Sequence, residues 1–227
     1  MRRKLEFLEH QQAVERERTR IAKDIHDDLG ASLTRITMLS QSVRGELGNS
    51  PEATIQVDQI YSTARELTRA MDEIVWAVNP ENDTLDSLAS YLGKFAQDYL
   101  RAAGIRCRLK EPEELPPWPV TAEVRHNLFL AFKEALHNVV KHSGASEVRV
   151  TLALGADAFA LRVEDNGRGF ARASVFRQMS TDLDRIESGH GLTNMKLRLE
   201  EIRGKFEIES VMQAGTNVQF DVPVKTV

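Results

Sequence analysis

Residues 18–33 read Arg-Thr-Arg-Ile-Ala-Lys-Asp-Ile-His-Asp-Asp-Leu-Gly-Ala-Ser-Leu, and their spacing decides the fold of the N-terminal part of the chain. An apolar residue recurs at every fourth position, which places four side chains on one side of a helix: Ile21, Ile25, Leu29 and Leu33. His26 follows this stripe by one residue and is therefore turned about 100° away from it. With Asp27 and Asp28 beside it, its imidazole could act as a nucleophile oriented by a carboxylate. A solvated surface histidine is the alternative interpretation of this motif alone.

The apolar spacing of three and four continues without proline from Leu5 to about Leu47, which predicts one long helix. Its first part carries many charges and few apolar residues, as in a coiled coil that a partner helix stabilises. Glycines within residues 45–49 end this helix, and Ser50-Pro51-Glu52 starts a second amphipathic helix with an N-cap and a proline at the first helical position. Two such helices cannot bury both apolar stripes alone. We therefore predict a helical hairpin that forms a four-helix bundle as a homodimer.

Composition limits the classes of protein that this chain can belong to. It has 30 basic and 34 acidic residues and a net charge of -4, which gives no electrostatic basis for binding nucleic acid or an anionic membrane. The single cysteine, Cys107, excludes an internal disulfide and suits a reducing cytosol. No apolar run approaches the roughly 18 residues that span a bilayer, and the charged residues 1–6 are not expected to act as a signal peptide because no apolar core follows them. We expect a soluble, cytoplasmic portion without direct membrane contact, although a longer protein that contains it can be membrane-anchored.

The segment Asn79-Pro80-Glu81-Asn82-Asp83 breaks the second helix and marks the predicted domain boundary. Residues 1–80 then form the helical domain and residues 81–227 form a second domain. In the second domain, helices are predicted at about 84–103, 121–141 and 192–202, and strands at about 105–109, 148–154, 159–163, 206–210 and 218–222. A tight turn at Gly215-Thr216-Asn217 is predicted between the last two strands. This order of elements predicts an α/β sandwich whose mixed sheet is covered on one face by helices.

The predicted helix at 121–141 carries a polar cluster near its C-terminal end. Glu134, Asn138 and His142 are spaced at i, i+4 and i+8 and therefore share one face. Carboxylate and amide oxygens suit Mg²⁺, which usually completes its ligand shell with waters and substrate phosphates. Lys141 and His142 are available to those phosphates. An ordinary polar outer face is the alternative interpretation of this helix taken alone.

A second cluster, Asp165-Asn-Gly-Arg-Gly169, directly follows an apolar strand. Gly167 and Gly169 let the backbone pass close to a ligand or take a positive φ. Asp165 could accept a hydrogen bond from an exocyclic amine such as that of adenine. Asp-Asn-Gly is also a common turn sequence, so this cluster by itself does not identify a ligand site.

A third cluster opens the predicted helix near residue 192 and consists of Gly189, His190, Gly191 and Leu192. Free backbone N–H groups and the helix dipole favour a phosphate at such a position. The cluster is neither a Walker loop nor a complete dinucleotide fingerprint. Its meaning therefore depends on the two clusters that precede it in the chain.

In this order and spacing the three clusters resemble the ATP-binding domain shared by histidine kinases, gyrase-type topoisomerases, Hsp90-type chaperones and mismatch-repair ATPases. Residues 132–143 match its N box, residues 165–169 its first glycine box, and residues 189–192 its second. Gly215-Thr216 resembles the last box, whose threonine typically touches the nucleotide site. Residues 17–30, Glu-Arg-Thr-Arg-Ile-Ala-Lys-Asp-Ile-His-Asp-Asp-Leu-Gly, resemble the phosphoacceptor signature of two-component sensor kinases of the nitrate-sensor type.

This resemblance implies phosphoryl transfer from ATP to a nitrogen of His26 and then to an aspartate of a response regulator. Asp27 is the general base that the resemblance implies. Lys23, one helical turn before His26, is a candidate for screening the incoming phosphate, and an ordinary solvated lysine is its alternative interpretation. The family often carries a glutamine four residues after the aspartate, where it positions the water that dephosphorylates the regulator. Ala31 stands at that place here, so we expect weak or no phosphatase activity.

The resemblance also assigns the nucleotide contacts. Mg²⁺ is expected on Asn138, helped by Glu134, and adenine on Asp165 with its two glycines. The start of the helix at residues 189–192 is expected to face the phosphates, and residues 170–188 are long enough to form a lid. A non-kinase ATPase of the same superfamily and a dimeric pseudokinase scaffold are the alternatives. The first would not need the His-Asp helix, and the second would lose the nucleotide boxes.

Overall fold

The computed structural model of the protein describes residues 29, 32–41, 43, 51–170 and 190–224. The chain divides into two compact units, residues 1–82 and residues 83–227. Within the described residues, no helix is both long enough and apolar enough to cross a bilayer. The predicted leading coiled coil and the turn within residues 45–49 lie outside the described residues.

The first unit is helical, as predicted. Residues 32–41 form helical turns, and helix α1 spans Pro51–Val78. The predicted break follows directly, because Pro80–Asn82 form a 3₁₀ turn instead of continuing α1. Asn82 Nδ2 donates to the Trp76 carbonyl at 3.0 Å, which gives one of the last carbonyls of α1 a partner.

Apolar side chains line a groove between the described helices of the first unit. Gln41 Nε2 donates to Tyr61 Oη at 3.2 Å and links residues 32–41 to α1. The groove has a volume of about 530 Å³, and its apolar walls are formed by Leu33, Ile36, Ile60, Ala64 and Leu67. Ile60 and Leu67 remain 51% and 53% exposed. In the described part of the first unit these apolar side chains are therefore not fully covered, and incomplete burial of the apolar stripes was the basis for predicting a dimer.

In the described residues of the second unit, a five-stranded sheet packs with three α-helices. The strands are β1 (Arg106–Lys110), β2 (Glu147–Leu154), β3 (Ala158–Asp165), β4 (Lys205–Val211) and β5 (Gly215–Pro223). The helices are α2 (Leu85–Ala102), α3 (Ala122–Asn138) and α4 (His190–Glu201). The strand order is β1-β2-β3-β5-β4, with β1 parallel to β2 and every other neighbouring pair antiparallel. The predicted fold class, a helical region followed by an α/β domain with a mixed sheet, is confirmed.

Local sequence signals explain where α2 and α3 begin. Thr84 Oγ1 accepts from the Ser87 N–H at 3.2 Å, and Thr121 Oγ1 accepts from the Val124 N–H at 3.3 Å. Both threonines are N-caps that give partners to backbone N–H groups at a helix start. A substitution that removed either cap would cost about 1 kcal/mol of stability.

Alternation of apolar residues explains the core. Every second side chain of β3 is buried, and the buried set is Phe159, Leu161, Val163 and Asp165. Burial of only one alternating set means that one face of the sheet is covered, as predicted. Leu88 of α2, Phe129 of α3 and Leu199 of α4 supply the helical half of the core. Asp165 thus occupies the last inward position of a strand that is otherwise apolar.

Two expectations about the boundaries of elements were wrong. The helix expected to reach residue 141 is α-helical only to Asn138 and continues as a π-helical segment, Val139–Ser143. The turn expected at Gly215-Thr216-Asn217 lies at residues 212–214, where Gln213 takes a φ of 62°. Gly215 is instead the first residue of β5 and has a φ of 90°. A side chain is excluded at this position, because a Cβ there would clash with the Asp165 carbonyl oxygen. Its glycine serves a close approach of two strands rather than a turn.

A stretch with four prolines, residues 112–119, precedes α3. The end of this stretch is held by an arginine that no sequence pattern indicated. Arg125 is fully buried, pairs with the Asp83 carboxylate, and donates to the Val120 carbonyl at 2.7 Å. Removing the Asp83 carboxylate, whose side chain is 40% exposed, would be costly because the fully buried Arg125 guanidinium would lose its counter-charge. Arg125 therefore ties both ends of the segment between Asp83 and Val120 to the first turn of α3.

Candidate nucleotide-binding site

Asp165 is the centre of the candidate site. Its side chain is 9% exposed, and its Oδ1 accepts from the Gly167 N–H at 2.8 Å. Thr216, its neighbour on β5, donates to the same carboxylate from its backbone N–H and from its hydroxyl. Burial raises the pKa of Asp165, and the hydrogen bonds from Gly167 and Thr216 oppose that shift. The result is a fixed acceptor in a largely dehydrated position.

The two glycines of the Asp165–Gly169 loop are required by close backbone packing. A Cβ on Gly167 would lie 2.5 Å from the Ser143 carbonyl oxygen and 2.7 Å from Asp165 Oδ1. Gly169 has a φ of 57°, and a Cβ there would overlap the Val211 carbonyl oxygen. Any side chain at either position would push the loop away from the π-helical segment or from β4.

An asparagine that sequence analysis passed over anchors the same loop. Asn166 Oδ1 accepts from the N–H groups of Ser146 and Glu147, each at 3.0 Å, and its Nδ2 donates to Ser146 Oγ at 3.0 Å. These bonds tie the loop to the start of β2. The only available signal was the Asp-Asn-Gly turn sequence, which does not reveal a partner so distant in the chain.

The C-terminal end of α3 brings Glu134 and Asn138 together. Asn138 Nδ2 donates to Glu134 Oε1 at 3.5 Å, and this contact does not use the amide oxygen of Asn138. An amide oxygen beside a carboxylate is a ligand set that suits Mg²⁺ when substrate phosphates supply the remaining ligands. Among the described residues, no cluster of three or more His, Cys, Asp or Glu side chains could hold a metal ion unaided. The residues therefore fit a shared protein–phosphate magnesium site and not a closed protein cage.

Positive charge surrounds His142 in the π-helical segment after α3. The pKa of His142 is lowered first by burial and then by the charges of Lys141, His137 and Arg168, while Glu134 acts in the opposite direction. Arg168 was not among the predicted site residues, because only the glycines on either side of it belong to the motif. Together Lys141 and Arg168 provide cationic side chains where phosphates are expected.

The first turn of α4 lies against α3. A Cβ on Gly191 would overlap the Glu134 carboxylate, so the second glycine cluster and the polar face of α3 are in close approach. Leu192 is half-buried in the same turn. The backbone of His190 begins α4. The start of α4 as described thus lies beside Glu134, and the N–H groups of a helix N-terminus favour an anion there.

The structure brings together predicted residues from all the nucleotide boxes. Asp165, Gly167 and Thr216 share hydrogen bonds, and the Arg168 N–H donates to the Ser143 carbonyl at 2.9 Å, which joins the glycine loop to the end of the π-helical segment. The predicted residues His26, Asp27, Lys23, Ala31 and Gly189 lie outside the described residues, as does most of the expected lid.

Comparison with known families agrees with this geometry. Residues 17–83 match a family model described as "Histidine kinase". Residues 123–226 match the model of the "Histidine kinase-, DNA gyrase B-, and HSP90-like ATPase" family. The two matches do not overlap and follow the order of the two structural units.

Curated relatives resemble the chain over most of its length. Sensor histidine kinase LiaS of Bacillus subtilis is 29% identical over 218 residues, which is 93% of this chain and 55% of that protein. Sensor protein VraS of Staphylococcus aureus is 26% identical over 211 residues, again 93% of this chain and 56% of that protein. The chain thus spans about half the length of these relatives.

Among solved structures, the chain resembles the histidine kinase domain from the blue-light activated histidine kinase of Erythrobacter litoralis EL346. The TM-score is 0.52 at 17% identity, and the match covers 86% of this chain and 94% of that one. At this identity the likeness concerns the fold.

Proposed function

Because the chain belongs to the histidine kinases, with a phosphoacceptor domain followed by an ATP-binding domain, we propose that it phosphorylates His26 from Mg-ATP and passes the phosphoryl group to an aspartate of a response regulator. The match of residues 17–83 favours a kinase over a non-kinase ATPase of the same superfamily, which would not need that domain. The retained nucleotide boxes argue against a pseudokinase scaffold.

The observation that carries the proposal is the buried carboxylate of Asp165. It is 9% exposed and held by three donors from Gly167 and Thr216, and it lies at the end of β3 where an apolar residue would otherwise be expected. A carboxylate kept in such a position at a cost in solvation needs a partner that uses it, and the exocyclic amine of adenine is such a donor. Guanine presents a carbonyl oxygen at the corresponding position, so the site should prefer ATP.

The remaining residues divide the work of phosphoryl transfer between position and charge. Asn138, helped by Glu134, would hold Mg²⁺, which when bound neutralises phosphate charge. Lys141 and His142 are proposed to contact the phosphates, as is the helix start at residues 189–192. In the transfer step a ring nitrogen of His26 forms a bond to the γ-phosphorus, the bond to the bridging oxygen breaks, and ADP leaves.

Asp27 is proposed as the base that orients the imidazole of His26 and receives its proton, and Lys23 as a screen for the incoming phosphate charge. The sequence places both residues within one helical turn of His26. Since Asp27 is adjacent to His26 and not one turn away, its reach depends on its rotamer. Substitution of Asp27 by Asn therefore tests the base separately from the nucleophile.

A homodimer is proposed through the apolar groove of the first unit. The exposed side chains of Ile60 and Leu67 lie on one side of α1, four and three residues from Ala64, which is buried. A second copy of the hairpin would cover the same stripe and complete a four-helix bundle. Because ATP is the proposed phosphoryl donor, the proposed location of these domains is the cytoplasm.

Incubation with [γ-³²P]ATP tests the kinase proposal directly. We expect label on the protein that is labile in acid and stable in base, as a phosphohistidine is, and no label after His26→Gln. His10→Gln is the matched control, because His10 lies in the same N-terminal stretch without an adjacent Asp-Asp pair, and it should be labelled like the wild type. Release of inorganic phosphate without any labelled protein would instead identify a non-kinase ATPase.

A further inference from the structure

Ser210, the penultimate residue of β4, contacts both the residue that follows the glycine loop and the start of β5. Its Oγ accepts from the Phe170 N–H at 2.9 Å. The same hydroxyl donates to the Gly215 carbonyl at 3.2 Å and lies 3.0 Å from Thr216 Oγ1. No sequence motif used above includes Ser210, and its side chain is only half-buried.

Counting protons gives these contacts a direction. A hydroxyl has one proton, and that of Thr216 is donated to the Asp165 carboxylate. In the contact between the two hydroxyls Ser210 is therefore the donor, and its one proton is shared between the Gly215 carbonyl and Thr216 Oγ1. The bonds then form one row, from the Phe170 N–H through Ser210 and Thr216 to Asp165. Each donor in such a row strengthens the next one.

The tip of the β4–β5 hairpin reinforces this row. The Gln213 N–H donates to the Arg168 carbonyl at 2.6 Å, and Gly169 approaches the Val211 carbonyl so closely that no Cβ would fit. Residues 168–170 are thus held from the hairpin at three consecutive positions. The hydroxyl of Ser210 is the one side-chain group among these contacts that also reaches Thr216.

We propose that Ser210 is a positioning residue for the adenine nucleotide: it orients the Thr216 hydroxyl toward Asp165 and fixes Phe170 at the edge of the glycine loop. This inference rests on the proposed function, since it assumes that Asp165 receives the adenine amine. Ser210 acts through its neighbours and is not assigned a contact with the nucleotide. Its loss should weaken nucleotide binding without altering the transfer step once the site is saturated.

Titration with ATP and steady-state autophosphorylation of the full chain test the proposal. For Ser210→Ala we expect the Kd and KM for ATP to rise about 3- to 10-fold, the size of one neutral hydrogen bond, while the rate at saturating ATP stays within about twofold. Ser210→Cys keeps the shape with a weak donor and should also weaken binding, so the test survives if the alanine variant does not fold. Ser210→Thr retains the hydroxyl and should restore the Kd. Ser87→Ala, in α2 and away from this network, is the control and should leave the Kd unchanged.

A double-mutant cycle separates positioning from a general structural effect. If Ser210 acts through Thr216, adding Ser210→Ala to Thr216→Val should change the Kd far less than Ser210→Ala does alone. Fully additive losses, or a Kd unchanged in both Ser210→Ala and Ser210→Cys, would overturn the inference while leaving the proposed function intact. A wild-type protein that binds no ATP would overturn both together.

Discussion

Replacing Asp165 by asparagine should separate nucleotide binding from folding stability. The substitution keeps the size of the side chain and removes its charge at a position that is 9% exposed. It also replaces one acceptor oxygen with an amide group that donates, so that two donors would face each other where adenine is expected. The charge-assisted hydrogen bond to the adenine amine is then lost.

The expected loss of affinity follows from the kind of bond that is removed. A hydrogen bond to a charged group contributes roughly 1.5 to 3 kcal/mol, and about 1.4 kcal/mol corresponds to a tenfold change in affinity. We therefore expect the Kd for ATP to rise on the order of 10- to 100-fold in Asp165→Asn. Burial excludes the solvent that would otherwise screen this interaction.

The effect on stability should have the opposite sign. Burial raises the pKa of Asp165 in the folded protein, so the ionised form is held there at a cost. Stability linked to this group is complete at pH values below the ordinary aspartate pKa and is lost as the pH rises through the raised value. At neutral pH, where the wild type bears that cost, Asp165→Asn should have an equal or higher free energy of unfolding. The difference should vanish in acid.

Isothermal titration with ATP and chemical denaturation, both repeated between acid and neutral pH, measure the two effects on the same samples. Wild-type affinity should fall as Asp165 takes up a proton, and the asparagine variant should lack that step. Glu164→Gln is the matched control, since Glu164 is the adjacent carboxylate of β3 but is not one of its buried side chains. An Asp165→Asn protein that binds ATP as tightly as the wild type would refute the role given to this carboxylate.

Two further predictions concern the first unit. The side chain of Ala31 offers no hydrogen-bond donor or acceptor to a hydrolytic water, so a His26→Ala protein should leave purified phospho-regulator about as stable as buffer does. Ala31→Gln in the same background should speed hydrolysis of the phospho-regulator. Rapid loss of label with Ala31 in place would contradict this prediction. Charges at two exposed apolar positions should prevent dimerisation, so the double variant Ile60→Glu, Leu67→Glu is expected to be monomeric by light scattering. The control Glu66→Lys, on the neighbouring face of α1, should remain dimeric. A dimeric double variant would place the interface elsewhere.

Local signals in the sequence were sufficient for most of the fold. The threonine caps before α2 and α3 and the break at Asn79-Pro80 are written within a few residues of where they act. The predicted strand at about 159–163 lies within β3, but β3 continues to Asp165, which was expected to follow the strand. Such features depend on neighbours in the chain, and a single sequence contains those neighbours.

The features that were missed depend on residues far apart in the chain. Arg125 is an unremarkable helical arginine until Asp83 and Val120 lie beside it. Gly215 was assigned to a turn because glycine is common in turns, whereas its absent side chain makes room for the backbone of Asp165. Ser210 belongs to no motif, and its meaning comes from Phe170 and Thr216. In each case tertiary contact overrides what local propensity indicates.

The hydrogen bond from the Arg168 N–H to the Ser143 carbonyl connects two segments that are distant in the sequence, and we expect it to couple their local opening. A thermal fluctuation that frees the π-helical turn also releases the glycine loop, so the amides of both should exchange with solvent deuterium as one cooperative unit. A ligand that binds to either segment should then slow amide exchange in the other segment without contacting it. The π-helical segment and the glycine loop would then unfold locally as one unit. The stability of that unit would rise with the concentration of free ligand.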